Sequence, residues 1–342
     1  MTGSVLTETR GALGLLTLKR PQALNALNEE MCGALHRALD AFARNGEVKA
    51  VAIAGGGERA FCAGGDVVTV WHAGLSGTDG WERFFATEYR MNAAIAAFPK
   101  PYVALIDGVT MGGGVGVSIH GRYRIATERT LWAMPETGIG MVPDVGSTAV
   151  LGRMGPLGRF LALTGARLDG AEALAAGVAT HYAPSHRLDA LLDALARGEA
   201  VDDAIGRVAD EPGPARLDAN RGAIDRLFAG ASVEAILGAL DADGGSWAAT
   251  EAATIRRMSP TACKLALELL RRGAQASVLQ ALVNEYRVVS ALKRGHDFYE
   301  GVRAQLIDKD RSPRWVPARL EEVGTAEVDG YFVTPEGGDL VF

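Results

Sequence analysis

The sequence is poor in the residues that build metal and disulfide sites. Its three cysteines, Cys32, Cys62 and Cys263, lie far apart and form no Cys-x-x-Cys pair. That excludes a disulfide framework or a cysteine zinc site and suits a reducing compartment. The six histidines include no His-x-x-x-His pair, so no metal centre is expected. Long uncharged apolar runs are missing too. The nearest, YVALIDGVTMGGGVGVSIHG, carries Asp107 and many glycines, which argues against a membrane span. The opening MTGSVLTETR has no apolar run behind a basic start, so no secretory signal is read there. Nor is there an excess of positive charge. A net charge of −6 and a pI near 5.6 argue against nucleic acid as a partner, because phosphate binding needs a basic face. The expectation is a soluble cytoplasmic protein.

What is present is a chain of 342 residues, 48% hydrophobic and 22% charged, long enough for about two domains and one sizeable core. SVLTETRGALGLLTLKRP reads as two short strands around Gly11. ALNEEMCGALHRALDAFARNG reads as an amphipathic helix closed by Gly46. VKAVAIAGGG is an apolar strand running into glycines, and PYVALIDG repeats that form after a helix. This rhythm indicates an α/β arrangement with parallel strands. From about Thr148 the chain turns mainly helical. LDGAEALAAG carries Asp169 and Glu172 in capping-box spacing before Gly177. SPTACKLALELLRRG starts with Ser259 and Pro260 and is expected to end at Gly273; SVLQALVNEYRVVSALKRG is a long helix ended by Gly295. Pro184 to about Glu251 reads as less regular surface helices and loops.

Two glycine clusters, GGGERAFCAGGD (55–66) and MGGGVGVSIHG (111–121), follow strands. Glycine there permits tight turns and close approach of backbone to a ligand, though an ordinary turn explains one such cluster equally well. Neither fits a dinucleotide or phosphate loop, and GVSIH (116–120) lacks the final glycine of a nucleophile elbow, so Ser118 is not a convincing nucleophile. In WERFFATEYRMNAAIAAF (81–98), Trp81, Phe84, Met91, Ile95 and Phe98 recur at helical spacing, and Glu88 falls on the same stripe. A carboxylate on a buried face is unusual; an ion pair or a boundary position would account for it, as would a buried acid lining a pocket. Between Thr130 and Gly152 the only charged residues are Glu136 and Asp144, in the apolar, glycine-rich AMPETGIGMVPDVGS (133–147). Glu136 could be a capping residue and Asp144 a helix N-cap, or both could line a cleft. Periodicity and spacing leave these alternatives open.

At these residues the sequence resembles the crotonase (enoyl-CoA hydratase/isomerase) superfamily. The resemblance is carried by RPQALNALN (20–28), AFCAGGD (60–66), GVTMGGGVGVS (108–118) and AMPETGIGMVPDVGS (133–147). It covers roughly residues 5–183 and resumes at SPTACKLAL and RGHDFYEGVRAQLIDKDRSPRW (294–315), while 184–251 shows no match. The second half is most similar to the 3-hydroxyisobutyryl-CoA hydrolase branch, although Ser147 and Thr148 stand where that branch commonly has glycines.

The resemblance implies a crotonase-like spiral of ββα turns over residues 1–183, holding CoA and the thioester, with a mainly helical C-terminal region, 184–342, packed on it. It places the backbone N–H groups of Gly65 and Gly113 in an oxyanion hole for the thioester oxygen. Hydratases of the superfamily use two glutamates, and this chain has Gly116 at the first position and Glu136 at the second. The hydrolase branch uses the equivalents of Glu136 and Asp144, with that of Glu88 bordering the substrate. The implied activity is hydrolysis of a short β-hydroxyacyl-CoA, 3-hydroxyisobutyryl-CoA of valine degradation, to free acid and CoA. Glu136 would attack the carbonyl or activate water, Asp144 would hold the β-hydroxyl or position water, and Glu88 would help bind substrate. An enoyl-CoA hydratase or dienoyl-CoA isomerase is the alternative. No metal or redox cofactor is expected, CoA being part of the substrate. The expected partner is a small-molecule acyl-CoA, neither nucleic acid nor membrane, with homo-oligomerisation left open.

Overall fold

The computed structural model describes residues 3–342, so the first two residues of the N-terminal stretch read above lie outside the description. Strands β1 (Val5–Arg10) and β2 (Leu13–Leu18) pair antiparallel about Gly11. Helix α1 (Glu29–Arg44) begins where the Asn28 side chain accepts the Met31 N–H. It ends at Arg44 with Asn45 as its C-cap, one residue before the expected Gly46. Then come β3 (Ala50–Gly55), β4 (Ala60–Cys62), α2 (Val67–Leu75), α3 (Gly80–Ala96), β5 (Tyr102–Ile106) and β6 (Val109–Met111). The short α4 (Gly113–Gly116), β7 (Tyr123–Ala126) and β8 (Leu131–Ala133) follow. Next are α5 (Ser147–Arg153), α6 (Pro156–Thr164), α7 (Gly170–Ala176) with its predicted capping box, and β9 (His181–Tyr182).

Beyond β9 every regular element is helical: α8 (Leu188–Ala196), α9 (Val201–Val208), α10 (Arg216–Leu227), α11 (Val233–Asp243), α12 (Ser246–Arg257), α13 (Pro260–Gly273), α14 (Val278–Leu292), α15 (Asp297–Val302) and α16 (Thr325–Gly330), with single turns between some of them. The segment 184–251 is therefore regular. Alanine- and aspartate-rich composition hid a helical period that Leu188, Leu191, Leu195, Ala204 and Ile205 carry into a core.

The chain forms two compact units, both discontinuous in sequence: 1–66, 90–133 and 167–219, and 67–89, 134–166 and 220–342. They cut the chain differently from a linear division after residue 183, because loops between strands leave one unit and return.

The first unit contains both sheets. The larger has strand order β1-β2-β3-β5-β7-β9, parallel from β2 onward; the smaller is β4-β6-β8, also parallel. After the β1-β2 hairpin, which lies wholly in the larger sheet, each turn of chain gives one strand to the first sheet and the next to the second, which is the spiral of ββα turns. Alternate residues Leu13, Leu15, Ala50, Ala52, Val103, Leu105, Tyr123 and Ile125 face α8 and α9 in one core. Val51, Ile53, Ala104 and Ile106, on the other face, are buried as well, so these strands read as continuous apolar runs.

The second unit is helical. Trp81 is fully buried, packs edge-on to Phe298 at 4.8 Å and donates its indole N–H to Val289 O. Phe160, Phe228 and Trp247 form a second aromatic group. Helix α13 starts after Ser259 and ends at Gly273 as expected, though the next residue, Ala274, stays right-handed, so no left-handed glycine cap closes it. A Cβ at 273 would lie 2.3 Å from Thr148 O, so glycine there lets α13 lie against α5.

Candidate active site

In the second unit, Pro135 and Glu136 open a single 3-10 turn, Glu136–Ile139, which closes at Gly140 with φ +68°. Ser259 N–H donates to Thr137 O at 3.1 Å and ties the turn to the start of α13. On its other side, a Cβ at Gly301 of α15 would lie 2.3 Å from the carbonyl carbon of Ile139. The turn is thus set by tertiary contacts on two sides, and Glu136 is buried.

The chain continues through Met141 and Val142 to Asp144, all buried. Asp144 is not the N-cap of α5; Gly146 is, with no side-chain cap of its own. The job falls to Glu285 of α14, whose carboxylate accepts the N–H of Gly146 at 2.6 Å, the N–H of Thr148 at 3.2 Å and the Thr148 hydroxyl. These donors would otherwise be orphans at a helix start. Asp144 instead accepts the Tyr89 hydroxyl at 2.7 Å. Between them Val145 has φ +56° and Gly146 φ +78°. A β-branched residue in the left-handed region costs roughly 1–3 kcal/mol and persists only where its surroundings enforce it.

Glu88, Glu136, Asp144 and Glu285 are all buried, and no ion pair reaches any of the four among the described residues. Burial pushes Glu88 and Glu136 well above the usual carboxylate range. The Asp144 charge raises both further, and Glu88 adds to the rise of Glu136. Burial lifts Asp144 to about 7 against the opposing hydrogen bond from Tyr89. Glu285 is lifted to about 8, again mainly by burial, although three donors oppose it. Like charges this close in low dielectric cannot all ionise together, so the cluster holds protons that isolated carboxylates would release. Glu88 Oε1, Glu136 Oε2, Thr137 Oγ1 and Ser147 Oγ are buried with no hydrogen-bond partner. Unpaired polar atoms concentrated in this way mark a place where a ligand supplies the partners.

The structure brings Glu88, Glu136 and Asp144 into this one electrostatic cluster. Tyr89 and Glu285 belong to it and were not singled out from sequence. The signal for Glu285 was available: on α14 it sits on the stripe of Ala281, Leu282, Val288, Val289 and Leu292, as Glu88 sits on that of α3.

Gly65 and Gly113 lie in the first unit, just beyond β4 and β6, which are parallel neighbours. Their loops are therefore side by side: a Cβ on Gly64 would be 3.9 Å from Gly113 N, and one on Gly114 only 2.1 Å from Cys62 O. Ala63 N–H and Asp66 N–H bond to Leu24 O and Leu27 O. The N–H groups of Gly65 and Gly113 donate to no carbonyl among the described residues. Ser118 is buried with its hydroxyl donating to Gly114 O and Val115 O, which is a structural role. Gly116, buried in α4, leaves no acid at that position.

The profile of the enoyl-CoA hydratase/isomerase family matches residues 13–332. The chain belongs to this family. Among its curated relatives, 3-hydroxyisobutyryl-CoA hydrolase, mitochondrial, of Danio rerio is 45% identical over 98% of this chain and 91% of its own length. The human protein of the same name is 42% identical over 99% of this chain and 90% of its own. Among family members of known structure, a carnitinyl-CoA dehydratase from Mycobacterium thermoresistibile superposes with a TM-score of 0.95 at 42% identity, covering 100% of this chain and 99% of that one. An enoyl-CoA hydratase from Rhodobacter sphaeroides 2.4.1 gives 0.93 at 41%, covering 99% and 100%.

Proposed function

We propose that this family member is an acyl-CoA thioester hydrolase that cleaves a short β-hydroxyacyl-CoA, 3-hydroxyisobutyryl-CoA, to the free acid and CoA. The curated relatives carry that activity in their names, whereas the two similar structures are named as a dehydratase and a hydratase, at nearly equal identity. Identity therefore does not decide between the chemistries. The observation that carries the reading is the acid set: Glu136 and Asp144 share one buried cluster, and the position of the first hydratase glutamate holds Gly116.

In this reading the N–H groups of Gly65 and Gly113 take the thioester oxygen, whose negative charge grows as the carbonyl is attacked. Each such donor contributes about 3–4 kcal/mol. Ionised Glu136 either attacks the carbonyl carbon, expelling the CoA thiolate and leaving a mixed anhydride that water then opens, or takes the proton from a water that attacks directly. Both routes need the same carboxylate and give the same products. Asp144 holds the β-hydroxyl or orients the water, and Glu88 helps bind the acyl group. The backbone donors supply the electrophilic help, so no metal or redox cofactor is invoked; dialysis against EDTA should leave turnover intact.

A thiol-release assay with 3-hydroxyisobutyryl-CoA, 3-hydroxypropionyl-CoA and crotonyl-CoA tests the reading. Release of CoA from the β-hydroxy esters is expected. Hydration of crotonyl-CoA without CoA release would sink it. Glu136→Gln should lose most turnover while still binding CoA esters. We also propose a cytoplasmic location, supported by three buried cysteines that form no disulfide among the described residues, while the curated relatives are named mitochondrial. Cell fractionation distinguishes the two.

A further inference from the structure

Glu285 is fully buried on the apolar stripe of α14, and no cation faces it among the described residues. The groups around it are Asp144, Tyr89, Thr148 and the backbone of Gly146 and Thr148. A carboxylate in such surroundings is costly, and a glutamine or an apolar residue would pack as well. All of its hydrogen bonds go to the segment that directly follows Asp144, where Val145 and Gly146 are both left-handed. Ser147 N–H donates to Asp144 O at 2.9 Å and closes the same turn. One acidic side chain thus grips a strained turn at two backbone N–H groups and one hydroxyl.

We infer that Glu285 is a positioning residue for Asp144: by clamping Gly146 and Thr148 it enforces the left-handed turn that aims the Asp144 carboxylate at Tyr89 and the reacting acyl group. The inference rests on the catalytic part proposed for Asp144. Two holds then act on that residue, Tyr89 on its carboxylate and Glu285 on its backbone. Glutamine at 285 keeps the shape and one acceptor oxygen but turns an NH2 group toward the second donor, so the grip is lost without a cavity.

The test is a double-mutant cycle on the full-length protein, read by thiol release from 3-hydroxyisobutyryl-CoA and by thermal unfolding. Glu285→Gln should fold, with kcat lower by roughly tenfold or more and KM within about threefold, because orientation is lost rather than binding. In an Asp144→Asn background, whose residual turnover is measured at high enzyme concentration, the same change should cost nothing further. A merely structural role would cost the same factor in both backgrounds, and that result overturns the inference. If Glu285→Gln does not fold, Thr148→Val removes one donor alone. A kcat loss of about threefold, absent beside Asp144→Asn, supports the clamp, and an unchanged kcat overturns it. Wild-type turnover by Asp144→Asn alone overturns the role of Asp144 and this inference with it. An inactive Asp144→Asn beside an unaffected Glu285→Gln overturns the inference alone.

Discussion

Replacing Gly301 by alanine puts a methyl group where the Glu136 turn already lies. The new Cβ would sit 2.3 Å from the carbonyl carbon of Ile139 and 2.6 Å from its Cα, whereas ordinary contact begins at 3.4 Å. Turn and helix must part by roughly 1 Å, and a misplacement of that size costs on the order of 10²-fold in rate at a reacting group. Which partner yields is decided by what holds each. Helix α15 is pinned: Asp297 accepts Ser259 Oγ–H and Val316 N–H, Trp71 donates to Tyr299 O at 3.0 Å, and Phe298 is fully buried. The four-residue turn has fewer ties, so Glu136 moves. Gly301→Ala should therefore lower kcat about a hundredfold, with a stability loss of about 1–3 kcal/mol typical of overpacking. The assay is thiol release at saturating 3-hydroxyisobutyryl-CoA, beside a melting curve on the same preparation. Wild-type kcat together with a lowered melting temperature would refute the claim that this contact positions Glu136.

The raised Glu136 carboxylate predicts that kcat/KM goes on climbing with pH above the usual carboxylate range instead of levelling off near pH 5, because Glu136 must ionise to act. Asp144→Asn removes a charge that raises Glu136, so the residual activity of that variant should have its acid limb at lower pH. Tyr89→Phe removes a donor that stabilises ionised Asp144 and should move the limb that reports Asp144 above about pH 7. Stability should follow the same groups. Asp144 and Glu285 are raised in the folded state, so native protein keeps protons that the unfolded chain has released. Their contribution is complete below about pH 4 and is lost as pH rises through about 7 and 8, by at most about 1.4 kcal/mol per pH unit per group. Melting temperature should accordingly fall between these limits, and less steeply in Glu285→Gln; an equal slope in that variant would show that Glu285 does not carry the effect.

Much of this molecule could be read along the chain. The parallel strands, the hairpin about Gly11, the capping box at Asp169 and the start of α13 follow from backbone preference and periodicity, which act over a few residues. So did the isolation of Glu136 and Asp144 in an uncharged segment, although the choice between a capping role and a buried pair needed the fold. Asp144 as N-cap was the natural local reading, and it fails because a carboxylate from α14, 139 positions away from Gly146, serves that helix start instead. The helix end expected at Gly273 holds, but the contact role of that glycine is visible only once α5 lies against α13. The burial of α8 and α9 could not be seen in an alanine-rich stretch whose stripe is made of small residues. Sequence alone determined which backbone shapes form and which acids stand out from their neighbours. Tertiary structure alone decided that Glu88, Tyr89, Asp144 and Glu285 share one low-dielectric space, because electrostatic coupling depends on distance through space and not on distance along the chain.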